Sequence, residues 1–340
     1  MYVSYYGLKA KPFALSPDAR FFFNSRGHKR ALAYLRYGVK QGEGFIIITG
    51  DVGTGKTTLV GALTRALERE NVVVGQVVTT QLQAEELLRM VAAGFGLAYQ
   101  RVGKATLLKS LEIFFRACAD EGKRALLIVD EAQGLPPRAI EELRMLSNFQ
   151  QNGRMLLQSF LLGQREFRTT MRSEGFEQLR QRVIAAYHLK PLGVDECRSY
   201  IEHRLRTVGW NNNPILEDPI FELIHEFTGG VPRRINTLCD RLLLFGSLEE
   251  LKVLGADALQ TVAGDIMEEQ GLGPEPDPVP MSVPGVLAPL PIEPNAATAA
   301  NGQGDQRLAA VESSVSNLAD AVREELALLR QTLADRDKPH

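Results

Sequence analysis

The sequence predicts an α/β protein in which five short strands alternate with helices, followed by a small all-helical domain. Two observations support the α/β part. A glycine-rich loop lies between an apparent strand and helix within residues 45–70, and a second apolar run ends in the adjacent carboxylates Asp130 and Glu131. A third observation, a purely helical hydrophobic pattern beyond residue 191, predicts the second domain.

Composition limits the class of protein. The chain has 340 residues, 44% hydrophobic and 24% charged, which is typical of a soluble protein of about two domains. Its net charge of −2 argues against a protein that binds nucleic acid by bulk electrostatics. Three widely spaced cysteines, no signal peptide and no apolar run of membrane-spanning length predict a cytoplasmic protein that reaches the inner face of the membrane only through partners.

Residues 1–44 form an entry segment ahead of the first strand. It is rich in aromatic residues, is punctuated by proline, and ends in a predicted helix over 25–42. Two interpretations of the aromatic residues stay open: they pack in a core, or they frame a nucleotide base beside the loop that follows.

The glycine-rich loop fits the phosphate-binding pattern G-x-x-x-x-G-K-[ST], after a strand predicted over 45–49 and before a helix predicted over 59–70. Glycines let backbone N–H groups point at phosphate oxygens, and the helix N-terminus attracts the same anion. Lys56 is expected to contact the β- and γ-phosphates, and Thr57 to bind Mg²⁺. The predicted nucleotide-binding residues are Gly50, Asp51, Val52, Gly53, Thr54, Gly55, Lys56, Thr57 and Thr58.

A second site is predicted where the apolar run 125–129 meets Asp130 and Glu131. Such a strand delivers its carboxylates to the C-terminal edge of the sheet, which is where α/β proteins bind ligands. Asp130 is therefore expected to bind Mg²⁺, and Glu131 to act as the general base toward water. The alternative is a pair of surface acids that follow a strand.

Further candidates lie near the next two predicted strands and in the helical domain. Gln164, at a strand tip, could reach the γ-phosphate and the attacking water, or it could cap the following helix. Arg180 and Arg182 could provide an arginine finger to a neighbouring subunit, or they could be solvated surface charges. Arg233 opens a helix after a Gly-Gly turn, from where it could reach back to the phosphates.

The pattern along the chain predicts five segments. They are the entry segment at 1–44, an α/β nucleotide-binding domain at 45–190, a helical lid at 191–270, a Pro-rich disordered linker at 271–305 and an amphipathic helix at 306–336. The last segment is either a short coiled coil that binds a partner or a solvated tail helix.

Taken together, these marks resemble an AAA+ ATPase, and most of all the general secretion pathway protein A (ExeA)-like group. The resemblance covers about residues 1–268. It rests on Tyr5-Tyr6-Gly7-Leu8, Lys11-Pro12-Phe13, Ser16-Pro17-Asp18, Gly44-Phe45, Asp130-Glu131-Ala132-Gln133, Leu162-Gly163-Gln164, Gln181-Arg182 and Gly230-Val231-Pro232-Arg233-Arg234-Ile235-Asn236.

The resemblance implies a five-stranded parallel sheet with helices on both faces, a helical lid, and Mg²⁺-dependent ATP hydrolysis at the subunit interfaces of a homo-oligomer. By position, Gln164 would be sensor 1 and Arg233 sensor 2. Arg182 would be the arginine finger, with Arg180 as the fallback.

Two biological roles are consistent with the resemblance. The first is a motor or switch in a secretion assembly or, for the exosortase/PEP-CTERM-associated subgroup that the chain most resembles, in exopolysaccharide export. The second is a DNA-associated AAA+ protein of the transposition-regulator type, which the near-neutral net charge disfavours. A nucleotide-binding scaffold without turnover is disfavoured by the presence of Lys56, Asp130 and Glu131.

Overall fold

The computed structural model describes residues 1–16, 18–68, 70–78 and 82–269. The linker predicted at 271–305 and the helix predicted at 306–336 lie outside the described residues. Within the described ranges, no helix is both long enough and apolar enough to cross a membrane.

The central element is a five-stranded parallel β-sheet with the strand order β2-β3-β6-β1-β7, which confirms the predicted sheet. Because helices cover both of its faces, β1 and β6 are buried along their whole length, and β3 is buried at every residue after Arg124. Neighbouring strands β3, β6 and β1 end at Asp130, Gly163 and Gly50, so these residues meet at the C-terminal edge of the sheet. The strands are β1 (Phe45–Gly50), β2 (Val72–Val78), β3 (Arg124–Asp130), β6 (Leu157–Gly163) and β7 (Val183–Leu189).

Alternate side chains of β1 point to opposite faces of the sheet and into two separate cores. Ile46 and Ile48 pack with α2 and α3, whereas Phe45 and Ile47 pack with α4, α5 and α6. Two short helices, α7 (Arg165–Thr170) and α8 (Glu177–Arg180), lead from β6 to β7. The five longer helices are α2 (Arg26–Gln41), α3 (Lys56–Leu67), α4 (Ala84–Gly94), α5 (Lys104–Asp120) and α6 (Pro137–Leu146).

Helix α3 begins at Lys56, three residues before the predicted start at Leu59. Gly55 precedes it in the left-handed conformation with φ 97°, which glycine adopts at little cost. The apolar spacing begins only at Leu59 because the first turn of α3 carries the polar residues of the loop motif.

Asn152 and Gly153 form the turn of a small hairpin between β4 (Gln150–Gln151) and β5 (Arg154–Met155). The two turn residues have φ values of 52° and 75°, as a two-residue type I′ turn requires. Met155 belongs to this hairpin, and strand β6 starts only at Leu157.

From residue 191 to residue 269 the chain is mainly helical, and this part is the predicted lid. Its helices are α9 (Val194–Thr207), α10 (Pro219–Thr228), α11 (Pro232–Leu248) and α12 (Ala256–Glu269). A parallel pair that the sequence analysis missed, β8 (Ile215–Leu216) and β9 (Val253–Leu254), joins two of the connections. Each of these strands has only two residues, which is too short for a periodic pattern.

The entry segment divides between two cores. Aromatic side chains from α1 (Tyr2–Tyr5) to Phe21 are buried with the lid helices, whereas α2 packs on the sheet. Arg204 of α9 holds the first part in place, because its Nε donates to Pro12 O at 2.6 Å and its guanidinium lies 4.6 Å from the Phe21 ring centroid. The first residues of the chain are therefore tied to the lid.

Candidate functional site

A cleft of about 300 Å³ lies beside the phosphate-binding loop, between the C-terminal edge of the sheet, the entry segment and the lid. The predicted nucleotide-binding residues from Val52 to Thr58 line it. The other walls come from Phe21, Phe22, Phe23 and His28 of the entry segment, from Glu131, and from Tyr200, Arg204, Arg233 and Asn236 of the lid. The position of the entry-segment aromatics favours the interpretation that part of this segment frames a bound base.

The loop is shaped by glycines at two positions of close approach. Gly53 and Gly55 have φ values of 83° and 97°, in the region that favours glycine. A Cβ atom at Gly53 would lie 2.5 Å from Arg233 Cβ, and one at Gly55 would lie 2.8 Å from His28 Nε2. The loop thus contacts both the lid and the entry segment through backbone that has no room for a side chain.

Lys56 lies folded over the loop. Its Nζ donates hydrogen bonds to Gly50 O at 2.8 Å and Asp51 O at 3.1 Å. Burial lowers the pKa of Lys56, and the nearby Glu131 and Asp130 carboxylates oppose that shift. The ammonium group is thus held at the centre of the loop, where a phosphate would replace the two carbonyl oxygens.

Thr57 and Asp130, the two expected Mg²⁺ ligands, are in direct contact. The Thr57 hydroxyl donates to Asp130 Oδ2 at 2.8 Å, and the Asp130 side chain is buried at the end of β3. A hydroxyl and a carboxylate oxygen at this separation are the oxygen ligands that Mg²⁺ prefers. The donor set therefore fits a magnesium ion.

Glu131 is held by a closed set of hydrogen bonds, which we call the Glu131 clamp and define as Glu131, Gln133 and Gln164. The side-chain amides of Gln133 and Gln164 both donate to Glu131 Oε2, the latter at 3.1 Å. The backbone N–H of Gln164 donates to Gln133 Oε1 at 2.9 Å, which closes the set. Glu131 itself has a left-handed backbone, with φ 56°, which is uncommon for a residue other than glycine.

The clamp also sets the charge state of the carboxylate. Burial raises the pKa of Glu131, but the two amide hydrogen bonds and the positive charge of Lys56 together leave it below its usual value. Glu131 is thus held ionised and in a fixed orientation at the edge of the cleft.

Gln164 bonds to Glu131 instead of to the helix that follows. It stands immediately before α7, but its side chain makes no capping hydrogen bond to that helix. The alternative interpretation of Gln164 as a helix cap is therefore not what the structure shows.

Arg233 lies in the first turn of α11, on the lid side of the cleft. Its backbone N–H donates to Gly53 O at 3.2 Å, a direct hydrogen bond between the lid and the phosphate-binding loop. Its exposed side chain starts from the wall of the cleft that faces the loop.

The structure does not bring Arg180 and Arg182 to this cleft. Arg182 precedes β7 at the N-terminal edge of the sheet, opposite the edge that carries the loop, and its Nη1 donates to Ser147 Oγ at 2.7 Å. Arg180 donates through Nη1 to the backbone oxygens of Met171 and Ser173 at 2.8 and 2.9 Å. Arg180 is therefore engaged in holding its own loop.

Two residues of the site were given no role by the sequence analysis. Gln133 lies inside a quoted motif, but only the folded chain shows that its side chain bridges Glu131 and Gln164. The His28 ring packs against Gly55 of the phosphate-binding loop, and its Nδ1 lies 2.7 Å from Ser25 Oγ. Burial lowers the pKa of His28. Neither role has a signal in local sequence, because each depends on elements that are distant along the chain.

The chain is similar in sequence to a protein family and to one protein of known name. A protein-family model described as an AAA domain matches residues 39–171. Over 245 residues the chain is 37% identical to General secretion pathway protein A of Aeromonas hydrophila. This match covers 72% of the present chain but only 44% of that relative, so the chain spans less than half of the relative's length.

Solved structures resemble the chain in fold. The ORC2 protein of Aeropyrum pernix, in its ADPNP-ADP complexes, superposes with a TM-score of 0.57 at 18% identity, covering 75% of this chain and 71% of that one. Drosophila ORC bound to DNA gives a TM-score of 0.57 at 16% identity, with coverages of 79% and 67%. At such identities the likeness is one of fold alone.

Proposed function

From the premise that this chain has the P-loop AAA+ fold and is similar to a secretion-pathway protein over most of its length, we propose that it is an ATP hydrolase. It couples ATP binding and turnover to conformational work in a secretion assembly. The observation that carries the proposal is the Glu131 clamp at the edge of the cleft, beside Lys56 and the Thr57–Asp130 pair. Binding alone would need no fixed, ionised carboxylate beside the phosphate-binding loop.

The loop side of the site binds the nucleotide. Lys56 Nζ exchanges the Gly50 and Asp51 carbonyl oxygens for β- and γ-phosphate oxygens, and the backbone N–H groups of the loop hold the rest of the phosphate chain. Thr57 and Asp130 would hold Mg²⁺, which would supply positive charge to neutralise the phosphate oxygens.

The clamp side of the site carries out the chemistry. The Glu131 carboxylate accepts a proton from the attacking water as the water oxygen approaches the γ-phosphorus. Gln133 keeps the carboxylate in place. Gln164 Nε2 donates to Glu131 Oε2, and by the motif resemblance it would also contact the attacking water or the γ-phosphate. Lid residue Arg233 adds positive charge from the opposite wall.

Turnover also needs a neighbouring subunit under this proposal. Arg182 lies at the N-terminal edge of the sheet, and the cleft lies at the C-terminal edge. The length of β7 separates the two edges, which is about 20 Å at the rise of a strand. Arg182 cannot reach its own cleft but could enter that of an adjacent copy, where an arginine finger stabilises the transition state. The proposed working form is therefore a homo-oligomer, with Arg182 preferred over Arg180 on the motif resemblance.

The assembly is proposed from similarity. The similarity to General secretion pathway protein A of Aeromonas hydrophila supports a secretion role for the chain. An exopolysaccharide-export assembly of the exosortase type is the finer proposal and rests on the motif resemblance alone. A DNA-related role is not favoured, because the DNA-bound neighbour resembles the chain in fold alone.

The experiment that tests the proposal is Mg²⁺-dependent phosphate release from ATP by the full chain, compared with a Lys56→Ala variant. We expect turnover by the wild type and loss of both nucleotide binding and turnover in the variant. Nucleotide binding without any turnover, across a range of protein concentrations that permits assembly, would refute the hydrolase and leave a binding protein.

A further inference from the structure

The exposed face of α2 carries a concentration of positive charge that the proposed function does not use. This helix has sixteen residues, of which five are Lys or Arg and none is Asp or Glu, in a chain whose net charge is −2. All five side chains are exposed; they are Arg26, Lys29, Arg30, Arg36 and Lys40, and we call this surface the α2 face.

The five cations share one side of the helix. At 100° per residue the five cations span about 120° of an exposed arc of about 160°, which lies opposite the buried stripe that packs on the sheet. Two tyrosines, Tyr34 and Tyr37, lie in the same arc and are 43% and 51% exposed. The α2 face is thus a basic surface with aromatic residues among the charges, not a scatter of single residues.

The charges of the α2 face are not neutralised locally. Among the residues that the structure describes, no carboxylate pairs with any of these five side chains, and the nearby Glu196 binds the backbone N–H of Arg26 instead. By contrast, Arg116 on α5 pairs with Glu112. A sixth cation, Arg65 of α3, borders the same cavity as Arg36 and extends the positive surface.

The shape of the surface selects among polyanionic partners. Helix α2 is embedded between α3 and the edge strand β7, and the Tyr34 ring lies 5.6 Å from that of Tyr187 on β7. A helix of ~10 Å diameter with half of its girth buried protrudes only about 5 Å, less than the ~8.5 Å depth of the DNA major groove. A shallow array of cations instead matches a flat anionic surface.

We propose that the α2 face docks the protein directly on a membrane that exposes anionic phospholipid headgroups. The Lys and Arg side chains approach the headgroup phosphates, and Tyr34 and Tyr37 lie at the level of the headgroups, where tyrosine is enriched. The buried stripe of α2 stays in the protein core, so the contact is electrostatic, peripheral and reversible by salt. This inference does not depend on ATP turnover.

The test is co-sedimentation of the full chain with vesicles of one part phosphatidylglycerol to two parts phosphatidylcholine. We expect binding at low salt, release at high salt and no binding to pure phosphatidylcholine. Each cation near an anionic surface contributes about fivefold to the partition coefficient, so an Arg36→Gln/Lys40→Gln variant should bind about 25-fold more weakly.

The matched control is Lys109→Gln/Arg116→Gln, which removes one lysine and one arginine from α5 on the other face of the sheet. It should bind vesicles like the wild type, and both variants should keep the wild-type ATP turnover. Three results would overturn the proposal: no binding to the anionic vesicles, an equal loss in both variants, or tight binding to a short DNA duplex without vesicle binding.

Discussion

At the scale of single residues, the main finding is that one carboxylate oxygen, Glu131 Oε2, accepts two side-chain amide donors. A general base must be both ionised and well oriented, and two fixed donors provide both. Gln133 does not line the cleft, but it fixes the position of Glu131. Its Nε2 donates to the Glu131 carboxylate, and its Oε1 accepts from the backbone N–H of Gln164. It is a positioning residue in the proposed mechanism.

The first prediction concerns Gln133→Leu, which keeps the size of the side chain and removes its hydrogen bonds. Losing one donor raises the pKa of Glu131, and a base loses activity as the pH falls through its pKa. The acid limb of the pH profile of kcat should therefore move to higher pH, with kcat reduced about tenfold, less than the ~10²–10⁴-fold that complete loss of a general base costs.

The control for that prediction is Gln151→Leu, which removes a remote amide that donates to Asp120 at 2.7 Å. It should leave the pH profile unchanged. If Gln133→Leu loses kcat but keeps the wild-type profile, Gln133 supports only the fold and not the charge state of Glu131.

The sequence predicts the roles of some of these site residues but not of others. Lys56, Thr57, Asp130 and Glu131 belong to contiguous motifs in which neighbouring elements already define the geometry, so their meeting could be expected. The role of Gln133 could not, because its partner Gln164 lies 31 residues away, just beyond the end of β6.

At the scale of elements, the lid reaches the phosphate-binding loop through the Gly229-Gly230 turn that precedes α11. Both glycines have left-handed backbone, with φ values of 60° and 69°. Only Gly230 is also crowded, since a Cβ atom there would lie 2.1 Å from the backbone oxygen of Leu192, whereas nothing lies within 4 Å at Gly229. This turn sets the direction in which α11 presents Arg233.

The second prediction uses this pair of glycines. Gly229→Ala should lower the free energy of unfolding by about 1 kcal/mol, the cost of a left-handed backbone. Gly230→Ala carries the same cost plus about 1–3 kcal/mol for the clash, and it should also weaken ATP binding by displacing Arg233 from the loop. Urea unfolding and a nucleotide titration measure the two effects, and equal destabilisation by the two variants would rule out the crowding.

The sequence predicts a helix or strand reliably when its hydrophobic pattern extends over many residues, and poorly when the element is short or lacks such a pattern. The five strands and the lid helices have such patterns, and each is found. The start of α3 at Lys56 and the β8–β9 pair were missed. Their residues are fixed by a loop motif and by tertiary pairing, and neither leaves a periodic signal.

At the scale of the whole molecule, the two candidate halves of the ATPase site lie on opposite edges of one sheet. The loop follows the C-terminal end of β1, and Arg182 precedes the N-terminal end of the parallel β7. In the proposed mechanism, Arg182 of a second copy completes the site of such a chain. The predicted parallel sheet already implied this polarity, whereas the pairing of β1 with β7 depends on the strand order and was not visible in the sequence.

The third prediction tests completion by a second copy. Arg182→Ala should abolish most ATP turnover while keeping nucleotide binding, since its loop is intact. Mixing it with Lys56→Ala, which is inactive but carries Arg182, should restore part of the activity as mixed assemblies form. Phosphate release as a function of mixing ratio measures this, and activity that never exceeds the sum of the two variants would exclude a finger acting between subunits.

The measurement that tests the central claim most directly is ATP turnover by Glu131→Gln, with nucleotide affinity determined on the same preparation. The exchange keeps the shape of the side chain and removes its basicity. We predict turnover reduced by about 10²–10⁴-fold with little change in ATP affinity, as expected when a general base is lost. Turnover at the wild-type rate in this variant would contradict the assignment of Glu131 as the base, and with it the proposed mechanism.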